Sequence, residues 1–180
     1  MKKTFSLLVL ILIGNFAIAQ DKILTKTGQI TFEASMPSFE EVKATNKISA
    51  CVLNIKTGDI ASVAMIQSFK FKSSLMQEHF NENYIESDKY PKAIFKGKIE
   101  NFDASKLTTQ NQEFIINGNI ELHGKSKNIS VVAKISKNEN TTHFISNFIL
   151  NTDDFNIDLP FLIRSKVSKK VVVSLDYKLL

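Results

Sequence analysis

The fold of this chain is decided by residues 75–97, which read LMQEHFNENYIESDKYPKAIFKG. Met76 and Phe80 are spaced to share one helical face, and the spacing predicts one short helix over about residues 75–83. A helix of this length is not stable alone. Its apolar face must therefore dock on another element, and we expect it to lie across the mouth of a β-barrel.

The boundaries of this predicted helix are marked by local signals. Ser74 and Gln77 have the spacing of a capping box, in which both side chains bind backbone N–H groups of the first turn. Pro91 favours an extended conformation at Tyr90 and so predicts that a strand begins there.

The rest of the chain from residue 20 onward has the pattern of a β protein. Apolar and polar residues alternate in short runs separated by turn signals, which predicts an all-β barrel or sandwich in a single domain, residues 20–180. Thr57-Gly58-Asp59 predicts a hairpin turn. The predicted strands cover residues 29–35, 47–55, 60–66, 68–72, 93–101, 113–122, 128–136, 143–150 and 170–178.

Two glycine-containing stretches carry information about turns: the first has two possible interpretations, and the second predicts a loop. Asn117-Gly118 interrupts a strand-like run, and it fits either a tight hairpin turn or a glycine bulge that bends one long strand. His123-Gly124-Lys125-Ser126-Lys127 is interpreted as a hairpin loop that joins residues 120–122 to residues 129–131.

The N-terminal residues are typical of a secretory signal peptide. Two lysines precede an apolar run over residues 7–13, and Ala17-Ile18-Ala19 has the small residues of a cleavage site. The apolar run is shorter than the roughly 20 residues of a membrane-spanning helix. We therefore expect a cleaved signal peptide at residues 1–19 and a periplasmic or secreted mature protein.

Charge argues against a nucleic-acid partner. The net charge is +5, of which Lys2 and Lys3 contribute two, and Arg164 is the only arginine of the chain. Nucleic-acid-binding proteins favour arginine and cluster their charge on one face. The lysines here are spread among apolar residues, so we interpret them as solvent-exposed positions on strands.

No catalytic or metal-binding motif is recognisable. Cys51 is the only cysteine, and it is interpreted as a small core residue rather than a nucleophile. His79 and Glu82 lie three residues apart, a spacing too unspecific to predict a metal site. Asp153 and Asp154 would point to opposite faces of a strand. We therefore predict a protein without metal, cofactor or enzymatic activity.

Phenylalanine is unusually abundant: the chain has 14 Phe and no Trp. Many of these residues fall on alternating strand positions, which fits an ordinary packed core. The alternative is that some of them line an apolar cavity, because an eight-stranded barrel is wide enough to hold one small ligand.

Two stretches resemble a known family. Residues 75–97 have its short helical segment followed by Tyr-Pro and a strand that ends in glycine. Residues 117–127, NGNIELHGKSK, resemble its Gly-x-Leu-x-x-x-Gly-x-x-Lys hairpin, with Ile120 in place of the usual leucine. On these motifs the chain is similar to the YceI-like lipid/polyisoprenoid-binding proteins. It departs from their Asp-His-Ser of the first strand, where it has Thr25-Lys26-Thr27-Gly28, so no ligand role of that histidine is carried over.

The resemblance implies an extended, lipocalin-like antiparallel β-barrel that holds a lipid or polyisoprenoid chain, isoprenoid or fatty-acid-like, in its apolar interior for storage or transport. It also leaves room for a homodimer and for transient membrane contact. Two other functions stay open: a barrel filled by its own side chains that binds a partner, and an enzyme acting on a lipid-like substrate. The residues predicted to line the channel are Phe69, Phe71, Met76, Phe80, Phe95, Phe114, Ile116, Phe144 and Phe148.

Overall fold

The structure is a computed structural model that describes residues 21–180. It contains nine strands and one short α-helix. The strands are β1 (Lys22–Ser35), β2 (Lys43–Asn54), β3 (Asp59–Met65), β4 (Lys70–Phe71), β5 (Lys92–Ile99), β6 (Gln112–Leu122), β7 (Lys125–Asn138), β8 (Thr141–Asn151) and β9 (Val167–Leu179), and helix α1 is Ser74–His79.

Eight of the strands form a closed antiparallel barrel. They follow the order β1-β9-β8-β7-β6-β5-β3-β2, and β1 pairs with β2 to close the ring, while the two-residue β4 adds to β2. The predicted antiparallel barrel is therefore confirmed. We call the end that carries the β2–β3 and β7–β8 turns the closed end, and the end that carries α1 and the β1–β2 and β8–β9 connections the open end.

Alternation along the strands sets which side chains face inward. In β2 the buried face carries Ser49, Cys51 and Leu53, whereas Ile48 is exposed. In β1 the inward face carries Ile30 and Ala34. Successive side chains of a strand point to opposite faces. In β1 the inward face is the apolar one, whereas in β2 it includes the polar Ser49.

Asn117-Gly118 forms neither a hairpin turn nor a bulge, and both interpretations of this pair are wrong. Strand β6 runs through it in regular register, and Gly118 pairs with Gly97 of β5. The ring of Phe95 lies over both glycines, so that a Cβ atom at Gly118 would lie 2.5 Å from Phe95 Cζ. The two glycines thus provide the space that an inward phenylalanine needs.

The helical segment is confirmed, but its predicted cap is wrong. Ser73, not Ser74, caps α1, because its hydroxyl accepts a hydrogen bond from the N–H of Met76. Gln77 does not complete a capping box; its Oε1 accepts a hydrogen bond from the N–H of Phe71. A π-helical turn, Phe80–Tyr84, continues the helix.

Two other local predictions need correction. The predicted strand over residues 68–72 shrinks to β4, because a 3₁₀ turn at Ile66–Ser68 precedes it. The predicted loop over residues 123–127 is a two-residue turn, His123-Gly124, and β7 begins at Lys125. Both turn residues have positive φ, 51° and 69°, as a tight hairpin requires.

The predicted signal peptide, residues 1–19, lies outside the described residues. Within residues 21–180, no helix combines the length and the apolar character that crossing a membrane would require.

Candidate ligand cavity

The barrel interior contains a cavity with a volume of about 400 Å³. This volume lies within the range of roughly 300–1,000 Å³ that is typical of small-molecule sites. Apolar side chains from seven of the eight barrel strands and from α1 make up most of its wall. The cavity reaches the surface at the open end, where its rim includes Glu40, Leu75 and Ile163.

Tyr177 and Ser62 form a polar pair near the floor of the cavity. Their hydroxyl oxygens lie 3.1 Å apart, and the Tyr177 ring stacks on Phe144 with centroids 6.0 Å apart. Burial raises the pKa of the Tyr177 hydroxyl, because the phenolate would lose its hydration. Tyr177 is therefore a neutral hydrogen-bonding group. A Cβ atom at Gly28 would lie 2.4 Å from this ring, so the absence of a side chain at Gly28 gives Tyr177 its space.

Four phenylalanines form an aromatic cluster beneath the mouth. Phe32 is at its centre, with ring centroids 5.2 Å from Phe69, 5.7 Å from Phe71 and 5.2 Å from Phe80. Phe71 and Phe80 complete the cluster at 5.1 Å. These separations are in the favourable range for aromatic pairs. The cluster ties α1 and its flanking turns to β1 and thereby shapes the entrance of the cavity.

The structure brings together eight of the nine residues that the sequence predicts for the channel. Phe114 is the exception, since it is not part of the cavity wall and packs edge-on against Phe102 at 5.8 Å, towards the closed end. The eight residues on the wall are Phe69, Phe71, Met76, Phe80, Phe95, Ile116, Phe144 and Phe148. Their role in ligand binding remains a prediction.

Several wall residues were missing from the predicted set. Phe32 shares the inward face of β1 with Ile30, and this alternation was a usable signal in the sequence. Ala64 and Tyr177 are also on the wall. Neither residue type signals a cavity, because both alanine and tyrosine also occur in filled cores.

Of the polar residues considered for chemistry, His79 is on the cavity wall, whereas His123, Asp153 and Asp154 are engaged in structural contacts. Nδ1 of His123 donates a hydrogen bond to the carbonyl oxygen of Phe155 at 2.9 Å, and its Nε2 lies 2.9 Å from Oε2 of Glu86. Asp153 and Asp154 bind different lysines, Lys169 and Lys127. Among residues 21–180, no three His, Cys, Asp or Glu side chains are grouped as metal ligands.

Cys51 is buried in the core and is not part of the cavity wall. Burial raises the pKa of its thiol to about 12, because the thiolate would be poorly solvated. We predict that a thiol reagent at pH 8 leaves the folded protein unmodified and labels it only in denaturant. Rapid labelling of the folded protein, monitored by absorbance, would contradict this burial. Because the chain has one cysteine, the signal has a single source.

A protein-family model, that of the YceI-like domain, matches residues 20–179 of the chain. Among curated protein sequences, none matches the chain at a significant level.

Solved structures share the fold at low sequence identity. A polyisoprenoid binding domain from Saccharophagus degradans, implicated in plant cell wall breakdown, is 12% identical with a TM-score of 0.76, over 88% of this chain and 97% of that one. Burkholderia cenocepacia BcnA is 14% identical with a TM-score of 0.70, over 85% and 96%. The Campylobacter jejuni YCEI protein is 17% identical with a TM-score of 0.62, over 79% and 86%. With a family match over nearly all of its length and the same barrel, the chain belongs to the YceI-like domain family.

Proposed function

We propose that this protein is an exported carrier that holds a lipid or polyisoprenoid chain inside its barrel. The observation that carries the proposal is the apolar cavity, which extends from the Ser62–Tyr177 pair to the open end. A long hydrocarbon chain needs an apolar space and few polar partners. The family to which the chain belongs, and the Saccharophagus degradans domain that shares its fold, support this class of ligand.

The distribution of polar groups supports the same class of ligand. Ser62 and Tyr177 are the hydroxyl groups near the floor. The other polar lining residues lie towards the open end: Glu40, Ser73, His79, Tyr84, Asn151, Thr152 and Ser168. Between them the wall is dominated by aliphatic and phenylalanine side chains. A hydrophobic chain with an oxygen-bearing end group matches this pattern, with the chain in the apolar middle. Binding of this kind is reversible and involves no chemical step.

The cellular setting is part of the proposal. The signal-peptide pattern of residues 1–19 supports export to the periplasm or beyond. An exported carrier collects and delivers its cargo at membranes, so transient membrane contact belongs to this function. A homodimer is compatible with it and is tested by measuring the mass of the purified protein in solution.

The proposal is tested by isolating the protein with its cargo. Residues 20–180 are expressed with an export signal, purified without detergent and extracted with organic solvent for mass spectrometry. We expect about one molecule of an apolar chain compound per protein, because an eight-stranded barrel interior is wide enough for one small ligand. The control is an exported protein of similar size without a cavity, purified in parallel. A blank extract, repeated after incubation with vesicles of total membrane lipid, would contradict the carrier function.

A further inference from the structure

The β8–β9 connection carries two consecutive apolar side chains that contact almost nothing. Phe161 and Leu162 are 84% and 80% exposed. Their backbone is nevertheless held in a compact turn, since the N–H groups of Ile163 and Arg164 both donate to the carbonyl oxygen of Pro160, at 2.9 and 3.2 Å. The two side chains are thus held outward on a structured tip.

This tip is part of the cavity rim. Leu159 and Ile163, which flank the two exposed residues, both line the cavity. Nε of Arg164 donates a hydrogen bond to the carbonyl oxygen of Leu159 at 2.6 Å and fixes the tip to the wall. Elsewhere on the rim Leu75 is 60% exposed and also lines the cavity. Apolar surface therefore continues from the tip into the interior.

Positive charge follows the tip along the chain. Lys166 immediately precedes β9, and Lys169 and Lys170 lie near the start of this strand. Lys169 is paired with Asp153, and the next carboxylate along the chain is Asp176. Lys166 and Lys170 are exposed, and within residues 21–180 neither has a carboxylate within 4.0 Å. Lysines beside protruding apolar side chains match a bilayer that contains anionic lipids. The lysines interact with the anionic headgroups, and the apolar side chains insert into the layer below them.

We propose that the Phe161–Leu162 tip inserts into the interface of an anionic lipid bilayer, so that cargo passes between the bilayer and the open end of the barrel. This inference rests on the proposed carrier function. A second copy of the chain fits the tip less well. A stable protein interface buries roughly 800 Å² on each partner. A phenylalanine side chain buries roughly 150–250 Å², so Phe161 and Leu162 together provide too little area for such an interface.

Because the chain has no tryptophan, the fluorescence of a single introduced tryptophan reports on the environment of that position alone. Phe161→Trp is compared with Ile115→Trp, which lies on the outer face of β6 near the closed end and is 46% exposed in the parent. Each variant is mixed with vesicles of phosphatidylcholine and phosphatidylglycerol. We expect tryptophan emission at position 161 to move to shorter wavelength and to be quenched by brominated acyl chains, and emission at position 115 to stay unchanged.

A kinetic variant separates docking from cargo affinity. In the double variant Phe161→Ser with Leu162→Ser, we expect lipid transfer from vesicles to slow at least about tenfold, since apolar insertion is lost. The amount of lipid bound at equilibrium should stay the same, which also shows that the variant folds.

The possible outcomes distinguish the two proposals. Unchanged emission at position 161 with vesicles, in protein that still yields lipid on extraction, overturns the docking site and leaves the carrier function intact. A shift that needs no vesicles and grows with protein concentration identifies a second copy as the occupant and also overturns it. A blank extract with normal vesicle quenching contradicts the carrier function instead.

Discussion

Ala64→Phe should abolish the uptake of a long-chain lipid. Ala64 is 2% exposed on the inward face of β3 and lies on the cavity wall. A phenyl ring at this position enters the cavity and occupies volume that the cargo needs. We expect lipid affinity to fall at least about 100-fold, equivalent to about 2.7 kcal/mol, whereas stability is largely kept because the ring enters empty space rather than a filled core. The measurement is displacement of a fluorescent fatty acid.

The matched control is Ala61→Phe on the same strand. Ala61 pairs with Lys96, which is exposed, so its side chain is on the outer face of the barrel. The same change of residue type outside the cavity should leave lipid affinity within about twofold, as for a surface substitution. Equal loss of affinity in both variants, or no loss in Ala64→Phe, would show that the cargo is not bound in this space.

Gly118→Val should destabilise the barrel by at least about 3 kcal/mol, at the upper end of overpacking effects. A Cβ atom at this position would lie 2.5 Å from the carbonyl oxygen of Lys96 and 2.5 Å from Phe95 Cζ. The ring can move, but the carbonyl belongs to the paired strand β5 and cannot move without breaking the sheet. Urea unfolding followed by circular dichroism measures the loss.

Asn119→Val, one position along β6, is the control for this prediction. Asn119 is exposed and donates a hydrogen bond only to Asn128, so its replacement should change stability by less than about 1 kcal/mol. The double variant Phe95→Ala with Gly118→Val should recover part, but not all, of the stability lost in Gly118→Val, because the contact with the Lys96 carbonyl oxygen remains. Full recovery would assign the effect to the ring alone.

Much of the barrel was predictable because strand alternation is a local signal. In β1 the inward face follows from apolar Ile30 beside polar Thr31. In β2 the same rule fails at residues 48 and 49, where polar Ser49 is buried and apolar Ile48 is exposed. The pairing of the first strand with β9 was not predictable in this way. The pairing of β1 with β9 joins residues about 145 positions apart, such as Thr31 and Ser174, and no local pattern encodes that register.

The wrong predictions concern positions whose local structure is set by residues that are distant in sequence but adjacent in space. Asn117-Gly118 has the sequence of a turn, yet the ring of Phe95 on the adjacent strand explains the glycine. Ser73 and Ser74 are equivalent as caps by sequence, and the path of the chain from β4 decides between them. Phe114 has the alternation of a wall residue, but Phe102 from the β5–β6 connection covers it. The presence of a cavity depends on how side chains fill the barrel interior, and the hydrophobic periodicity of the sequence carries no information about that.

The position of β9 has a consequence for how the molecule is made. Strand β9 is the last of the strands within residues 21–180 and lies between β1 and β8, with pairing to both. Until residues 167–179 have been synthesised and released, the growing polypeptide carries two unpaired strand edges and an open apolar interior, which are aggregation hazards. The ring therefore cannot close before β9 has been synthesised. The acquisition of structure is expected to be slow, as for other proteins dominated by long-range strand pairing.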